Sequence, residues 1–402
     1  MNREQLSSFL EGKPLYYKEI DHKRVHIAYK MLKAHIKQPR TVHVIGTNGK
    51  GSTGRMVAHL AALGFDKLSH QLLSVGHYTS PHIVKFNERI WINGEEASDE
   101  VLESAHQRLF GILGQEMSDA LSYFEYTTLL AFVVFENCDL MVLEAGLGGE
   151  FDATNVCDKE LSIVTPIGID HQAFLGETIE EIAATKIRSI QRQVLLAPQA
   201  YNEVVEVAKK IANEKGATLF TVGSIQSTNE NHGAMVDCID PTLTNISKAN
   251  GWADYLITNA TVALQALDIL NINYDINDLK SLELFGRFYA LTDNICIDVG
   301  HNPLAAKAIE KALDKKVVLI YNSLDDKDYE KVLRTLKSKV KRVEIIKIHS
   351  QRATTLEEIE KALTTVGLEY SYFENKIDED ENYLVFGSFY VVEEFLKQRK
   401  NT

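Results

Sequence analysis

Cysteine is scarce in this sequence, and long apolar runs are missing. The 402 residues include four cysteines, at positions 138, 157, 238 and 296. No two of them form a C-x-x-C pair, so the sequence indicates neither a zinc site nor a disulfide framework. The longest clearly apolar run, residues 129–135, is far below the ~20 residues that a membrane helix needs. The first residues, MNREQLSSFLEGK, lack the apolar core of a secretion signal. We therefore expect a cytoplasmic protein with no membrane association.

Positive charge is also in the minority. The chain has 43 lysines and arginines against 56 acidic residues, a formal net charge of −13. Proteins that hold nucleic acid over a long surface are more often basic, so we expect no nucleic-acid partner. An anionic substrate must be met by a local group of donors, because the overall field of the protein repels it. The apolar share of 45% is that of an ordinary globular protein.

The order of apolar runs predicts the fold class and the domains. Short β-rich runs alternate with helical patterns, which is typical of a parallel α/β sheet. The β-rich runs are residues 42–46, 139–146, 161–167, 193–197, 294–300, 316–321 and 383–388. Residues 222–250 are polar and rich in turn formers, and we predict a surface excursion with a hairpin there, inside the first domain. We place a linker at residues 285–293, between an N-terminal domain (1–284) and a smaller C-terminal domain (294–402).

A glycine-rich segment, GTNGKGS (46–52), lies between a predicted strand and a predicted helix. In the common phosphate-binding loop a hydroxyl residue directly follows the lysine, whereas here Gly51 separates Lys50 from Ser52 and Thr53. Glycines let backbone N–H groups approach phosphate oxygens, and the start of a helix favours negative charge. Lys50 can neutralise a phosphate, and a hydroxyl of Ser52 or Thr53 can bind Mg²⁺. The structural alternative is a tight turn with a solvated lysine.

Two further residues are candidates from the pattern alone. A predicted buried strand ends at Glu144, and the carboxyl ends of parallel strands face the crevice where α/β proteins bind ligands. Because Mg²⁺ prefers oxygen ligands, Glu144 is a candidate for holding it. Lys186 lies on the apolar stripe of a helix that begins with a capping box of Thr178 and Glu181. A lysine there either extends to solvent along the apolar surface or has a function, and the pattern leaves both open.

In the last third of the chain, a predicted strand ends at Asp298. Asn302 and Pro303 then have the order of an N-cap and a first helical residue. Those two residues have a structural explanation, whereas the carboxylate of Asp298 at the strand end is harder to explain by structure alone.

Together these segments resemble the folylpolyglutamate synthase and dihydrofolate synthase family of the Mur ligase superfamily, whose glycine loop has the form G-T-N-G-K-G-[ST]. The resemblance covers most of the chain, and its motifs occur in order. They are T-N-G-K-G-S (47–52), Y-T-S-P-H (78–82), F-N-E-R-I (86–90), E-A-G-L-G-G with D-A-T-N (144–155), D-H with L-G-x-T and K (170–186), G-R-F (286–288), D-V-G-H-N-P (298–303) and D-D-K-D-Y (325–329).

The resemblance implies a fold and a reaction. The fold is α/β, with an N-terminal P-loop-like ATPase domain that has a mostly parallel sheet and a smaller Rossmann-like C-terminal domain. The reaction is ATP-dependent amide ligation: ATP phosphorylates an acceptor carboxylate, and L-glutamate attacks the acyl phosphate, releasing ADP and phosphate. The acceptors are dihydropteroate, reduced folates or both. All partners are small molecules, ATP is a co-substrate, and we expect a monomer.

The resemblance also implies roles for particular residues. Lys50, Lys186 and His171 are the catalytic residues, and Lys186 matches a lysine that is often carbamylated. The expected Mg²⁺ ligands are Ser52, Ser80, Glu144 and His171. The expected ATP contacts are Thr47, Asn48, Gly49, Lys50, Gly51, Ser52, Thr53, Asn259, Arg287, Asp298 and His301. The expected acceptor-binding residues are Ser122, Tyr123, Phe124, Glu125, Phe151, Asp152 and Ala153.

The chain departs from the family pattern in three places. Ile187, Arg188 and Ser189 follow Lys186 where the family has A-G-I, and Leu256 stands where glutamine is usual. The segment at residues 20–25 is shorter than the family's.

Particular features of the sequence disfavour three rival functions. A Mur ligase for UDP-muramoyl peptides is disfavoured by Y-T-S-P-H and F-N-E-R-I. A nucleotide switch or transport ATPase without ligation is disfavoured by the loop spacing and the second α/β domain. An inactive binding module is disfavoured by the presence of Lys50, Glu144 and His171. For the acceptor segment, the structural alternative is that the aromatics are core residues and Asp152 caps a turn.

Overall fold

A computed structural model describes residues 5–14, 21, 23–222 and 240–400. The helices are α1 (Leu6–Glu11), α2 (Arg24–Lys33), α3 (Lys50–Leu63), α4 (Asp99–Ala120), α5 (Tyr123–Val134), α6 (Gln172–Leu175), α7 (Ile179–Ile187), α8 (Asn202–Lys215), α9 (Pro241–Ala249), α10 (Asp254–Ile269), α11 (Pro303–Ala312), α12 (Tyr329–Leu336), α13 (Leu356–Val366) and α14 (Phe389–Lys400). The strands are β1 (Arg40–Ile45), β2 (Phe65–Asp66), β3 (Val75–Tyr78), β4 (Ile90–Ile92), β5 (Glu95–Glu96), β6 (Leu140–Glu144), β7 (Leu161–Val164), β8 (Gln193–Leu196), β9 (Thr218–Thr221), β10 (Ile272–Asn273), β11 (Tyr289–Thr292), β12 (Ile295–Asp298), β13 (Val317–Tyr321), β14 (Val340–Ile345), β15 (Tyr370–Tyr372) and β16 (Tyr383–Phe386).

The described residues fall into two compact units. The first unit takes its residues from Met1–Ile167, Leu175–Ile239 and Asn259–Leu279. The second unit takes its residues from Gly168–Phe174, Asp240–Thr258 and Lys280–Thr402. The predicted linker at residues 285–293 and the domain limits on either side of it stay a prediction.

An eight-stranded sheet forms the centre of the first unit, in the order β5-β4-β3-β6-β1-β7-β8-β9. The pairs from β3 to β9 are parallel, whereas β4 and β5 are antiparallel additions at one edge. Strands β1 and β6 are almost wholly buried, as expected for parallel strands covered on both faces. The carboxyl ends of β3, β6, β1 and β7 therefore lie side by side along one edge of this sheet.

Apolar clusters among the described residues hold this sheet to its helices. One joins α1, α2, α4 and α5 to side chains such as Tyr78, Met141 and Leu143. Another joins α7 and α8 to side chains of β7 and β8. Helix α5 is buried around most of its surface, which matches its nearly continuous apolar sequence.

The second unit has a six-stranded sheet in the order β11-β12-β16-β13-β14-β15. Its strands are parallel except for β11, which pairs antiparallel with β12. An apolar cluster joins α11, α12 and α13 to this sheet. The α/β fold class predicted from the alternating pattern is confirmed, and all seven predicted β-rich runs contain a strand.

The hairpin predicted within residues 222–250 is wrong for the part that the structure describes. Residues 241–249 form α9, with Asp240 as N-cap and Pro241 at the first position, and the helix buries Leu243 and Ile246. The Asp-Pro pair starts a helix here because proline has no N–H to lose at that position. The rest of the predicted hairpin, residues 223–239, lies outside the described residues. No helix within the described ranges is long and apolar enough to cross a membrane.

Candidate active site

The glycine loop joins the end of β1 to the start of α3 in the first unit. Gly49 is the N-cap with a φ of 84°, a left-handed conformation that favours glycine. Helix α3 begins at Lys50, inside the segment 46–52 that the sequence analysis placed before the helix. The backbone N–H groups of Thr47 and Asn48 donate to the carbonyl of Pro166 at 3.0 and 3.1 Å, which fixes the loop against the end of β7. The N–H groups of the first helical turn have no carbonyl partner inside the helix, so they point outward from its N-terminus.

Asn259 of α10 packs directly on this loop. Its Nδ2 donates to Ser52 Oγ at 2.8 Å, and both residues are at most 3% exposed. A Cβ on Gly49 would lie 2.9 Å from Asn259 Oδ1, so only glycine lets the amide approach this closely. The structure thus brings together two predicted ATP-binding residues that are 207 positions apart.

Two predicted catalytic lysines meet at one atom. Lys50 Nζ donates to the carbonyl oxygen of Gly46 at 3.2 Å, and Lys186 Nζ donates to the same oxygen at 3.1 Å. Lys186 is 4% exposed, so it does not extend to solvent as a surface lysine would. Its helix, α7, starts with the predicted capping box, in which Glu181 N–H bonds Thr178 Oγ1. A Cβ on Gly149 would lie 2.2 Å from the Lys186 carbonyl, so the glycine turn after β6 packs against α7 at this residue.

Glu144 ends β6 beside the glycine loop, because its register partner on β1 is Val44. The Glu144 side chain is buried, and its Oε2 accepts from the hydroxyl of Thr79 and, at 3.3 Å, from the N–H of Ser80. Thr79 and Ser80 follow β3, the next strand in the sheet. Three of the predicted metal ligands, Ser52, Ser80 and Glu144, therefore belong to adjacent strand ends of the first unit.

These first-unit residues fit a hard divalent cation by their donor chemistry. They offer a carboxylate and hydroxyl oxygens, the ligand type that Mg²⁺ takes in proteins. The hydroxyl of Thr53, on the first turn of α3, is sealed in the interior with no hydrogen-bond partner among the described residues. Among those same residues, no group of three or more His, Cys, Asp or Glu side chains could hold a metal by itself.

Asp152 is buried in a network that holds the turn after β6. Oδ1 accepts from the N–H of Thr154 at 2.9 Å and from its hydroxyl at 2.5 Å, while Oδ2 accepts from Leu147 N–H at 2.8 Å. The Thr154 hydroxyl is also 2.8 Å from His43 Nε2. Burial raises the pKa of Asp152, and the hydrogen bonds oppose that shift. The capping interpretation is thus confirmed as a structural role, and the acceptor-binding role stays a prediction. Sequence reasoning missed His43, and its position on an apolar strand was the available signal.

The other predicted acceptor-binding residues lie around the start of α5. Ser122 and Glu125 form a capping box, and Glu125 also pairs with Arg24 at 2.6 Å. A Cβ on Gly146 would lie 2.5 Å from the Phe124 ring, so the glycine turn passes directly over that aromatic face. Phe151 is 53% exposed, which is unusual for a large apolar side chain. Ala153 is buried in the short helical turn that Asp152 caps.

In the second unit, Asp298 is fully engaged with protein donors. Its carboxylate accepts from the hydroxyl of Tyr255, the N–H of Phe288 and the N–H of Gly300, at 2.7–2.8 Å. Burial raises the pKa of Asp298, and the neighbouring Arg287 acts against that rise. The Asp298 carboxylate therefore holds Tyr255 and the neighbouring backbone in place, a structural role that the sequence did not indicate. Asn302 caps α11 as predicted, through Ala305 N–H.

A second cluster in this unit surrounds His171. Lys327 Nζ lies 2.7 Å from Asp170 Oδ1 and 3.1 Å from His171 Nε2, and His301 Nε2 lies 3.7 Å from Asp170 Oδ2. Burial lowers the pKa of His171 to about 4, although Asp170 acts against that shift. Burial would raise the pKa of Asp170, but the His301 contact and the neighbouring positive charges hold it well below its usual value. Sequence reasoning assigned no role to Lys327; its place in the D-D-K-D-Y motif was the signal.

Comparison with known proteins gives close relatives over nearly the full chain. The dihydrofolate synthase/folylpolyglutamate synthase of Escherichia coli is 32% identical, with 88% of this chain and 85% of that protein covered. The crystal structure of Helicobacter pylori folylpolyglutamate synthetase is 40% identical, with a TM-score of 0.74 and 99% and 98% of the two chains covered. The structure of E. coli FolC in complex with DHPP and ADP is 28% identical, with a TM-score of 0.78 over 99% and 98% of the chains. No family model matches this chain.

Proposed function

This chain belongs to the dihydrofolate synthase/folylpolyglutamate synthase family of ATP-dependent glutamate ligases, and we propose that it adds L-glutamate both to dihydropteroate and to reduced folates in one active site. The observation that carries this proposal is the meeting of Lys50 and Lys186 at the Gly46 carbonyl, beside the Glu144 carboxylate on the next strand. Such a site suits phosphoryl transfer, which depends on positioning and on neutralising charge more than on covalent help.

The glycine loop is the proposed site of the ATP phosphates. The free N–H groups at the start of α3 and the ammonium group of Lys50 would bind phosphate oxygens. Asn259 would act through Ser52, because its amide fixes the rotamer of that hydroxyl. Arg287, Asp298 and His301, the ATP contacts predicted in the second unit, are proposed to take part in nucleotide binding as well.

Ser52, Ser80 and Glu144 would hold a divalent cation, for which we propose Mg²⁺, and His171 is the fourth predicted ligand. When bound, such an ion offsets the negative charge that accumulates on the transferring phosphoryl group. The turn after β3 orients the Glu144 carboxylate, because Thr79 and Ser80 both donate to Oε2.

Lys186 is the proposed site of carbamylation. Two ammonium groups that share one carbonyl repel each other at short range, and the repulsion is larger in a buried site than in water. Carbamylation of Lys186 would replace one of these positive charges by a negative one. The surrounding turn, which is packed on the Lys186 backbone at Gly149, would hold the modified side chain in place.

The acceptor is proposed to bind beside the start of α5. Phe124 and Phe151 offer flat apolar surface to a pterin ring, and the Asp152 carboxylate can accept from the amino and N–H groups of that ring. Ser122, Tyr123, Glu125 and Ala153 would complete the wall of this pocket. Residues 15–20 and 22, which include part of the shortened segment, lie outside the described residues.

One assay tests the proposed function. Purified protein is given ATP, Mg²⁺ and L-glutamate with either dihydropteroate or a reduced folate, and phosphate release is measured with and without glutamate. We expect glutamate-dependent release with both acceptors. Release with reduced folate alone would leave a folylpolyglutamate synthase, and release with neither acceptor would contradict the proposal. Activity with UDP-muramoyl peptides would favour the Mur ligase alternative. Light scattering and cell fractionation test the expected monomer and the expected cytoplasmic location.

A further inference from the structure

Arg89, which follows the F-N-E segment and precedes β4, is a buried arginine without a carboxylate partner among the described residues. It is 8% exposed. Of its five N–H donors, the one on Nε donates to His82 Nδ1 at 2.8 Å, and the other four have no acceptor within the described ranges. Within the described part of the chain, Arg89 forms no ion pair. Neither Nη atom is among the fully buried, unpartnered side-chain atoms of the described residues.

Aromatic rings hold the guanidinium group in place. It lies over the face of Tyr123, with 5.1 Å from its central carbon to the ring centroid. The rings of His82 and Tyr123 each contact Phe86 edge-on at 6.4 Å between centroids. The Nε–H group of Arg89 donates to His82 Nδ1, which ties one edge of the guanidinium to the same group of rings. The cation is therefore fixed in orientation before any ligand binds.

The backbone of Arg89 is tied to the candidate active site. Its carbonyl oxygen accepts from Thr79 N–H at 2.9 Å, one residue past the Tyr78–Ile90 pairing of β3 and β4. The Thr79 hydroxyl in turn donates to Glu144. One turn thus positions the Arg89 guanidinium, Ser80 and the Glu144 carboxylate.

A buried cation without an anion is costly, because the interior does not replace its hydration. Stability alone does not explain why arginine occupies this position. The Nη edge of a guanidinium is a planar fork that matches a carboxylate with two parallel hydrogen bonds. Tyr123, on which the group stacks, also belongs to the proposed acceptor pocket. The two lysines of the candidate active site, Lys50 and Lys186, donate to the Gly46 carbonyl instead.

We propose that Arg89 recognises the carboxylate of the acceptor substrate through its two Nη groups. This inference rests on the proposed function, since it assumes an acceptor bound beside Tyr123. Arg89 then sets specificity: it selects acceptors that bear a free carboxylate where the amide bond is to form, and it orients that carboxylate beside the phosphate loop.

The test compares ligands as well as variants. Binding of dihydropteroate and of its carboxamide, which lacks the negative charge, is measured by titration calorimetry on the wild-type protein, Arg89→Lys and Arg89→Gln. For wild type we expect the carboxamide to bind about 10- to 100-fold more weakly, the range for losing hydrogen bonds to a charged group. Arg89→Gln should lose a similar factor for dihydropteroate and almost none for the carboxamide. Arg89→Lys keeps the positive charge but not the two parallel N–H donors. Its affinity for dihydropteroate should therefore lie between those of wild type and Arg89→Gln.

The control is Arg334→Gln, which removes an exposed arginine of α12 that pairs only with Glu330. It should bind both ligands as wild type does, and ADP affinity should be the same in all variants. Equal binding of the two ligands by wild-type protein would overturn the inference even if the Arg89 variants failed to fold. Wild-type protein that binds neither ligand would instead contradict the proposed function, so the two failures are distinguishable.

Discussion

Lys50 and Lys186 donate to the same carbonyl oxygen, that of Gly46, from Nζ atoms at 3.2 and 3.1 Å. One lysine comes from the first position of α3 and the other from the last turn of α7. Two ammonium groups that share a carbonyl repel each other, and a nearby anion or a chemical change of one lysine relieves the repulsion. This relationship leads to the first two predictions.

We expect Lys186 to be carbamylated in the active enzyme. Protein prepared with ¹³C-bicarbonate should show a carbamate signal by NMR that is absent from Lys186→Ala. The variant should lose about 10²–10³-fold in turnover, as when a preorganised charged group is removed from a site, and a short carboxylic acid should restore part of it. Lys159→Ala, which removes another buried lysine of this unit, should keep the signal. A spectrum without any carbamate signal in fully active protein would contradict the prediction.

Lys50→Ala should lower kcat/KM for ATP by about 10²–10³-fold, because the lysine is the proposed phosphate contact. The melting temperature should change little, since Nζ is bonded only to loop carbonyls, those of Gly46 and Thr47. Lys67→Ala, an exposed lysine paired with Asp268, is the matched control and should behave as wild type. Near-normal turnover of Lys50→Ala at saturating ATP would exclude the assigned role.

Asn259→Ala should weaken ADP binding about tenfold, because it removes the donor that orients the Ser52 hydroxyl. Ser52→Ala should cause a similar loss. Since the two side chains are in contact, the double variant should lose less than the product of the single losses. Calorimetric titration of ADP measures all four affinities, and strictly multiplicative losses would mean that Asn259 does not act through Ser52.

Glu144→Gln should reduce divalent-cation affinity, because it removes the one carboxylate among the proposed first-unit ligands. Electron paramagnetic resonance of Mn²⁺ measures binding directly, and the Mg²⁺ concentration for half-maximal activity should rise in parallel. Glu150→Gln, on the following turn and paired with Arg188, should bind Mn²⁺ as wild type does. The same titration on His171→Ala tests the fourth predicted ligand. Unchanged Mn²⁺ affinity of Glu144→Gln would rule out its assignment.

Asp152→Asn should raise KM for dihydropteroate more than KM for ATP, if the carboxylate contacts the pterin. Thr154→Val is the structural control, because it removes the hydroxyl that donates to Asp152 Oδ1 and contacts His43 Nε2, and leaves the carboxylate in place. We expect the valine variant to lose stability, by about 1 kcal/mol, with a smaller effect on the dihydropteroate KM. Equal effects of the two variants on both substrates would mean that Asp152 only holds the turn.

The fold followed from the sequence because buried parallel strands are continuous apolar runs, and all seven such runs contain a strand. Local capping signals were also reliable: Thr178 with Glu181, and Asn302 with Pro303, form the expected caps. Helix α9 was missed because its surroundings are polar, and its apolar residues, Leu243 and Ile246, are too few for a clear period.

Contacts between distant residues could not be read from local pattern. The Asn259–Ser52 bond joins residues 207 positions apart, and only the family resemblance associated both with ATP. The resemblance assigned no role to Arg89, His43 or Lys327, whose partners become visible once the chain is folded. For Asp298 the resemblance implied an ATP contact, but the carboxylate also holds local structure. The N–H of Gly300 is at the ordinary spacing for an aspartate turn, whereas Tyr255 and Phe288 are donors that no spacing rule connects to it.

The order of strands in the first unit determines the spacing of two loops of the candidate active site. Neighbouring strands in a sheet lie about 4.8 Å apart, and β6 alone separates β3, which leads to Ser80, from β1, which leads to Lys50. The strand ends that lead to Ser80 and to Lys50 are thus about 10 Å apart by backbone hydrogen bonding, whatever the side chains are. Substitutions in the loops after these strands can change the side chains there, but the spacing of the two strand ends cannot change without a new sheet topology.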